Sequence, residues 1–436
     1  MADPALDVLS RHARPLTGGP DDVQPILALT RNARFVLLGE ATHGTHEFYR
    51  ERARITRALI EQQGFDAVVV EADWPDAYRV NRWVRGESAD PDAASALSGF
   101  ERFPTWMWRN ADVLDFVGWL RARNDASRTS VGFYGLDMYS LYRSIAAVIA
   151  YLERVDPAAA RRAEERYGCF ERFGHDPQVY GRFADAFRRE TCEADVLRQL
   201  LELQGHPTDL GDTLAAQDDH FEAEQNARLV KNAERYYRAM YRADESSWNL
   251  RDTHMADTLD ALAAHLSRRH PAKIVVWAHN SHLGDARATA VGHQLNVGQL
   301  MRQRHSDVVL IGFTTYDGTV TAASSWDAPA EHKRVRPALS GSWEHLFHNL
   351  DTPRFALGMG ATEVRKALSE PRLERAIGVL YLPETERESH YFHAAISRQF
   401  DAVIHIDRTR AVEPMDRPRT WHRDTEEPPE AWPSGL

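Results

Sequence analysis

Cysteine is nearly absent from this chain: Cys169 and Cys192 are the two in 436 residues. So small a number excludes a disulfide framework and any all-cysteine metal site, and both thiols are expected to be inert. Long apolar runs are missing as well, so no stretch is long enough to span a bilayer. The first residues, Met1-Ala2-Asp3-Pro4-Ala5-Leu6-Asp7, have neither the basic nor the apolar region of a signal peptide. A cytoplasmic location is the expectation. A basic excess is also lacking. The formal charge of -11 leaves no footprint for nucleic acid, and it suits a monomer or a dimer whose partner is a small molecule. No Gly-x-Ser-x-Gly elbow occurs, which argues against a serine hydrolase of the usual α/β type. The glycine-rich phosphate loops of nucleotide enzymes are missing.

What is present, 43% hydrophobic and 27% charged residues, is the composition of an ordinary globular protein long enough to bury a large core. Short apolar runs recur at Phe35 to Leu38, Ala67 to Val70, Val131 to Tyr134, Ile274 to Trp277, Val308 to Phe313, Gly378 to Tyr381 and Val403 to Ile406. Separated by amphipathic segments, they predict an α/β fold with a largely parallel sheet flanked by helices. From about 139 to 269 the chain is charged and helical in period, with little strand signal. This predicts a helical insertion, which either roofs the active-site face at the carboxyl ends of the strands or simply packs as a layer. The organisation expected is an N-terminal segment over 1–24, a catalytic domain over 25–411 that includes the insertion, and a tail over 412–436. That tail is rich in proline and charge, and is expected to be extended or disordered from Pro414 onward.

The chemistry is concentrated where strands end. Phe35-Val36-Leu37-Leu38 runs into Gly39-Glu40-Ala41-Thr42-His43-Gly44, Ile274-Val275-Val276-Trp277-Ala278 runs into His279-Asn280-Ser281-His282, and Ala67-Val68-Val69-Val70 runs into Glu71-Ala72-Asp73-Trp74. Open α/β sheets place their chemistry beyond the carboxyl ends of strands, so these groups converge if the strands are neighbours. An imidazole exchanges protons near neutrality, so His43 can act as a general base oriented by Glu40; the plainer reading is a turn histidine bonded to backbone. His46 and Glu47 open the next helix and read as structural. On that helix Phe48, Arg52, Ile55 and Leu59 share one face. A buried guanidinium there requires a carboxylate, Glu40 or Glu71; the alternative is an arginine that snorkels to the surface. His279 and His282 either ligate a metal with Glu40, Glu71 or His43, or donate to an oxyanion, with a packing role for one of them as the plainer reading. Trp74, Trp106 and Trp108 are candidates for substrate contact in an apolar cleft, or else core anchors. Arg79 and Arg82 are solvated or paired with Asp73 and Asp76.

In combination, Gly39-Glu40-Ala41-Thr42-His43-Gly44, Arg52, Glu71-Ala72-Asp73-Trp74 and Trp277-Ala278-His279-Asn280-Ser281-His282 resemble the erythromycin esterase family, over about Asn32 to Ile406. The resemblance implies a hydrolase of a carboxylic ester or macrolactone, with macrolide resistance as one possible role. It implies that His43 activates water without a covalent intermediate, that Glu40, Arg52, Glu71 and His279 line the same site, and that His282 matches a second histidine. No cofactor is implied and the mechanism is metal-independent. In the reading built on it, Arg52 and His279 stabilise developing negative charge while Glu71 pairs with Arg52. Two alternatives stand beside it: a metal-dependent hydrolase built on His43, His279, His282 and a glutamate, and a non-catalytic ligand-binding protein of the same fold.

Overall fold

Runs such as Phe35–Leu38 and Ile274–Trp277 are apolar at every position, so they satisfy themselves only when both faces are covered. In a computed structural model that describes residues 5–421, apart from 175, 187–190, 206–213, 242–245, 269, 293, 419 and 420, and of 185, 186, 214 and 215 the backbone only, these runs are inner strands of one large sheet. In chain order the strands are β1 (Arg14–Pro15), β2 (Phe35–Leu38), β3 (Ala67–Asp73), β4 (Gly132–Asp137), β5 (Ile274–Trp277), β6 (Val308–Thr314), β7 (Asp317–Ala322), β8 (Glu331–Val335), β9 (Arg354–Gly358), β10 (Arg372–Arg375), β11 (Tyr391–Ala394), β12 (Ala402–Ile406) and β13 (Arg408–Thr409). The large sheet has the order β1-β9-β12-β6-β2-β5-β3-β4. Its run from β12 to β4 is parallel throughout, and β9 pairs antiparallel with both β12 and β1. The expected α/β fold with a largely parallel sheet is therefore the observed one.

Alternation along the strands divides the interior into two cores. Phe35, Leu37, Val69 and Val276 face one core, and Val36, Leu38, Val68 and Trp277 face the other. The second is closed by the helices His46–Gln63 and Ala111–Asp125. The first is closed by the helical insertion, which runs between β4 and β5 as Leu141–Val155, Pro157–Tyr167, Pro177–Ala186, Glu193–Gly205, Leu214–Ala239 and Ser247–Leu266.

Two expectations need correction. Cys169 and Cys192 are not inert thiols: they are bonded to each other, with their Cα atoms 5.9 Å apart. The turn of helix at Gly168–Phe173 and the start of the helix Glu193–Gly205 meet in space, and a separation of 23 residues in sequence carries no sign of that. The run Gly378 to Tyr381 is not a strand. It threads past the loop after β2 and the end of β7, making isolated bridges through Ile377 to Thr42 and Leu380 to Ala323. Of the tail, 412–418 and 421 are described and the rest lies outside the described residues. Trp421 is buried against the body of the protein, its Nε1 donating to Thr321 Oγ1 at 2.9 Å. Among the described residues no helix is long and apolar enough to cross a membrane.

Candidate active site

Because β2, β5 and β3 are consecutive in the sheet, their carboxyl ends bring the three polar turns together. The turn after β2 is pinned on every side by backbone hydrogen bonds: Gly39 N to Ile311 O at 2.8 Å, Asn280 N to Glu40 O at 2.8 Å, Ile377 N to Ala41 O at 2.8 Å and Val412 N to Gly44 O at 2.8 Å. This crowding explains the glycines of the motif. A Cβ on Gly44 would stand 1.8 Å from Thr321 O, and one on Gly39 would stand 2.1 Å from Asn280 Oδ1.

Inside this frame His43 Nδ1 lies 2.9 Å from Glu40 Oε1. An ionised carboxylate only accepts, so the proton sits on Nδ1 and Nε2 keeps its lone pair. His43 lines a cavity of about 410 Å³, whereas Glu40 and Arg52 lie behind it, completely buried. Arg52 Nη2 is 2.6 Å from Glu40 Oε2. The guanidinium lies over the rings of Tyr49 at 4.5 Å and Trp277 at 5.1 Å, and its Nε and Nη1 have no hydrogen-bond partner. One carboxylate and two aromatic faces thus replace water around this charge. Tyr49 in turn donates to the backbone oxygens of His43 and Met107, each at 2.8 Å.

Arg52 is thus a buried partner of Glu40, as one of the two options required. The pairing with Glu71 is not made, and Arg52 does not reach the cavity. Glu71 is held instead by Arg251 Nη2 at 2.8 Å, by the backbone N–H of His279 at 2.9 Å and by His282 Nε2 at 3.3 Å. Burial pushes the Glu71 carboxyl up, but His282, His43 and Arg251 around it prevail and hold it well below the usual range.

His279 and His282 have opposite characters. The His279 ring faces that of His43 with centroids 4.9 Å apart, and its Nδ1 accepts from the backbone N–H of Ser281 at 3.2 Å. Its proton is therefore on Nε2, a buried atom turned toward the backbone of Ala41. Burial pushes the ring down to about 3, with the neighbouring His43 adding to the effect. It is a neutral donor throughout the physiological range. His282 packs flat on Trp248, with centroids 4.5 Å apart, and its Nδ1 lies 2.9 Å from Asp252 Oδ1. Burial opposes its charge, as does Arg251, whose Nη1 is 3.1 Å from His282 Nε2. The carboxylates of Asp252 and Glu71 outweigh both and push the ring up to about 9. With the folded value above the ordinary 6.5, the stabilisation is fully present below about pH 6.5 and is lost as pH rises through about 9. Urea denaturation at a series of pH values should show stability falling over that interval, and His282→Asn should flatten the fall.

Of the tryptophans, Trp108 lines the cavity and donates from Nε1 to Glu71 O at 3.0 Å. Trp74 does not: it is packed in the core against Tyr78, Tyr134 and Phe221. Trp106 borders a separate cleft. His46 bonds Asp112 and Glu47 bonds Arg410, both as structural ties. Arg79 pairs with Asp90, and Arg82 bonds Glu87 O, while Asp73 and Asp76 take Arg102 and Arg143.

Sequence reasoning missed Arg251, from the helical insertion. It lines the cavity, its Nε and Nη2 donating to the two oxygens of Asp137 at 3.0 and 2.7 Å. Asp137 ends β4 and had the same strand-end signal as Glu71; Arg251 sits on a helix and had none. Arg251 and Arg102 flank the ring of Tyr139 at 5.0 and 4.5 Å, so the insertion reaches the cavity through Tyr139, Trp248 and Arg251. The proposed metal set does not assemble. Among the described residues no group of three or more His, Cys, Asp or Glu side chains could hold a metal ion.

Comparison with known proteins places this architecture. The family model described as erythromycin esterase matches residues 60–409. That span contains Glu71, His279 and His282, and begins after Glu40, His43 and Arg52. The YbfO protein of Bacillus subtilis (strain 168) is 21% identical over 426 residues, covering 92% of this chain and 90% of its own length. Two solved structures share the fold. A Bacillus cereus protein has a TM-score of 0.79 at 20% identity, with 94% of this chain and 98% of that one covered. An erythromycin esterase mutant in its open conformation has a TM-score of 0.67 at 18% identity, with 91% and 97% covered. With most of its sheet and both later motifs inside the matched span, this chain belongs to the erythromycin esterase family.

Proposed function

We propose that the chain hydrolyses a carboxylic ester or lactone by direct attack of water. The observation that carries this reading is the Glu40–His43 pair, with its free Nε2 in a cavity that also holds the neutral donor His279 and two arginines. His43 Nε2 takes a proton from water as the oxygen attacks the carbonyl carbon. The negative charge that develops on the carbonyl oxygen is met by His279 Nε2–H and by Arg251. When the carbon–oxygen bond breaks, the proton held by His43 passes to the leaving alkoxide, giving an acid and an alcohol. Glu40 keeps the imidazole in the required tautomer and stabilises its charged form, and Arg52 holds Glu40 in place. Both are positioning residues.

A covalent route through Ser281 is the second reading, because Ser281 Oγ lies 2.8 Å from His279 Nδ1 in the cavity wall. It is disfavoured by the ring beside it. A histidine pushed down to about 3 is a poor base for removing a hydroxyl proton near neutrality. Ser281→Ala should therefore keep activity within a few-fold of wild type.

The test of the whole reading is to incubate the protein with a panel of simple esters and a macrolactone, and to follow substrate and protein by mass spectrometry. A gain of one water in the substrate, with no acyl adduct on the protein, is the expected result. An adduct on Ser281 would replace the mechanism, and the absence of product from every ester would remove the esterase reading.

A further inference from the structure

We propose that a second chamber beside the main cavity receives an aliphatic arm of the ester, so that the substrate lies across both; the inference rests on the esterase reading above. The chamber measures about 190 Å³ and shares a wall with the main cavity, since Trp248, Ser281 and Ala376 border both. Trp248 is a fixed partition. Its indole packs flat on His282, and its Nε1 donates to Leu295 O at 2.9 Å.

The two spaces differ in chemistry. On the main side the walls carry Glu71, Asp137 and Arg251, suited to a carbonyl that becomes charged. Beyond the partition, Val291 and Phe392 present hydrocarbon. Gln399 borders the same chamber at 1% exposure, and its Oε1 has no hydrogen-bond partner. Ser281 lies on the turn between His279 and His282, and a carbonyl held between His43 and His279 is one side chain away from the second chamber. An ester with a single short arm would fill the first space only.

Two substitutions away from the catalytic groups test this. Val291 is 40% exposed at the chamber wall, so Val291→Trp can plug the space with little disturbance to the core, and Phe392→Ala enlarges it. The probes are straight-chain carboxylates from acetate to octanoate, followed by calorimetry, and their p-nitrophenyl esters, followed by kcat/KM. In the wild type both affinity and kcat/KM should rise by roughly fourfold per methylene until the chamber is full. Val291→Trp should abolish the rise while leaving the acetate ester unchanged, and Phe392→Ala should carry it to longer chains. The same chain-length dependence in Val291→Trp as in the wild type, or none in the wild type, would overturn the proposal. If carboxylate binding shows the plug-sensitive dependence and no ester is turned over, the chamber stands and the esterase reading fails. If esters are turned over and binding ignores the plug, the esterase reading stands and the chamber proposal fails.

Discussion

His43→Ala should lower kcat/KM by about 10²–10⁴-fold, the range expected when a positioned general base is removed, while leaving the thermal unfolding midpoint close to that of the wild type. The stability side follows from position. His43 borders the cavity, and its loss leaves Glu40 still paired with Arg52 at 2.6 Å, so no buried charge is stranded. The activity side follows from the tautomer. Nδ1 is committed to Glu40, and Nε2 is the atom left to accept a proton from water. Near-normal hydrolysis by His43→Ala would falsify the role assigned to it. A parallel fall in stability and activity would show instead that the side chain is structural.

Arg52→Met should destabilise the fold by about 3–5 kcal/mol, the usual consequence of removing one member of a buried ion pair, as read from urea denaturation. Both groups are completely buried. Without Arg52 the Glu40 carboxylate would keep His43 as its one charged-capable neighbour and lose the guanidinium that neutralises its inner oxygen. The opposite substitution, Glu40→Gln, strands the guanidinium and should be as damaging. Together the two changes remove both charges, so the double variant Glu40→Gln, Arg52→Met should regain a large part of the lost stability. Its hydrolytic activity should stay low, because the glutamine cannot stabilise an imidazolium at His43. A double variant that recovers stability and activity together would show that the pair serves packing alone.

The clustering of acid and base groups at three turns was legible in the chain because strand ends and turns are written locally. Four apolar residues, a glycine and a polar pair at spacing three are enough to announce a strand running into a polar turn. Arg52 stood out for the same kind of reason, as a charge on an apolar helical face. Its partner did not, since Glu40 and Glu71 end strands that lie on either side of β5, and the choice between them depends on which turn folds back under the helix His46–Gln63. Arg251 was invisible for a stronger reason. It is 180 residues from Glu71, on a helix whose pattern reports only that one face is buried. The tryptophans show the same limit, since side chain type alone does not say whether an aromatic faces a cavity, as Trp108 does, or a core, as Trp74 does.

By itself the sequence determined the α/β class, the strands that end in polar turns and the pairing of Glu40 with His43, because periodicity, turn chemistry and a spacing of three residues act over a few positions of chain. The tertiary structure alone decided which carboxylate neutralises Arg52, that Arg251 enters the cavity, that Cys169 meets Cys192 and that a second chamber lies behind Trp248. Those outcomes depend on strand order and helix packing between segments far apart in sequence. Burial then makes each pairing obligatory, since a charge removed from water must find its partner wherever the fold has placed one.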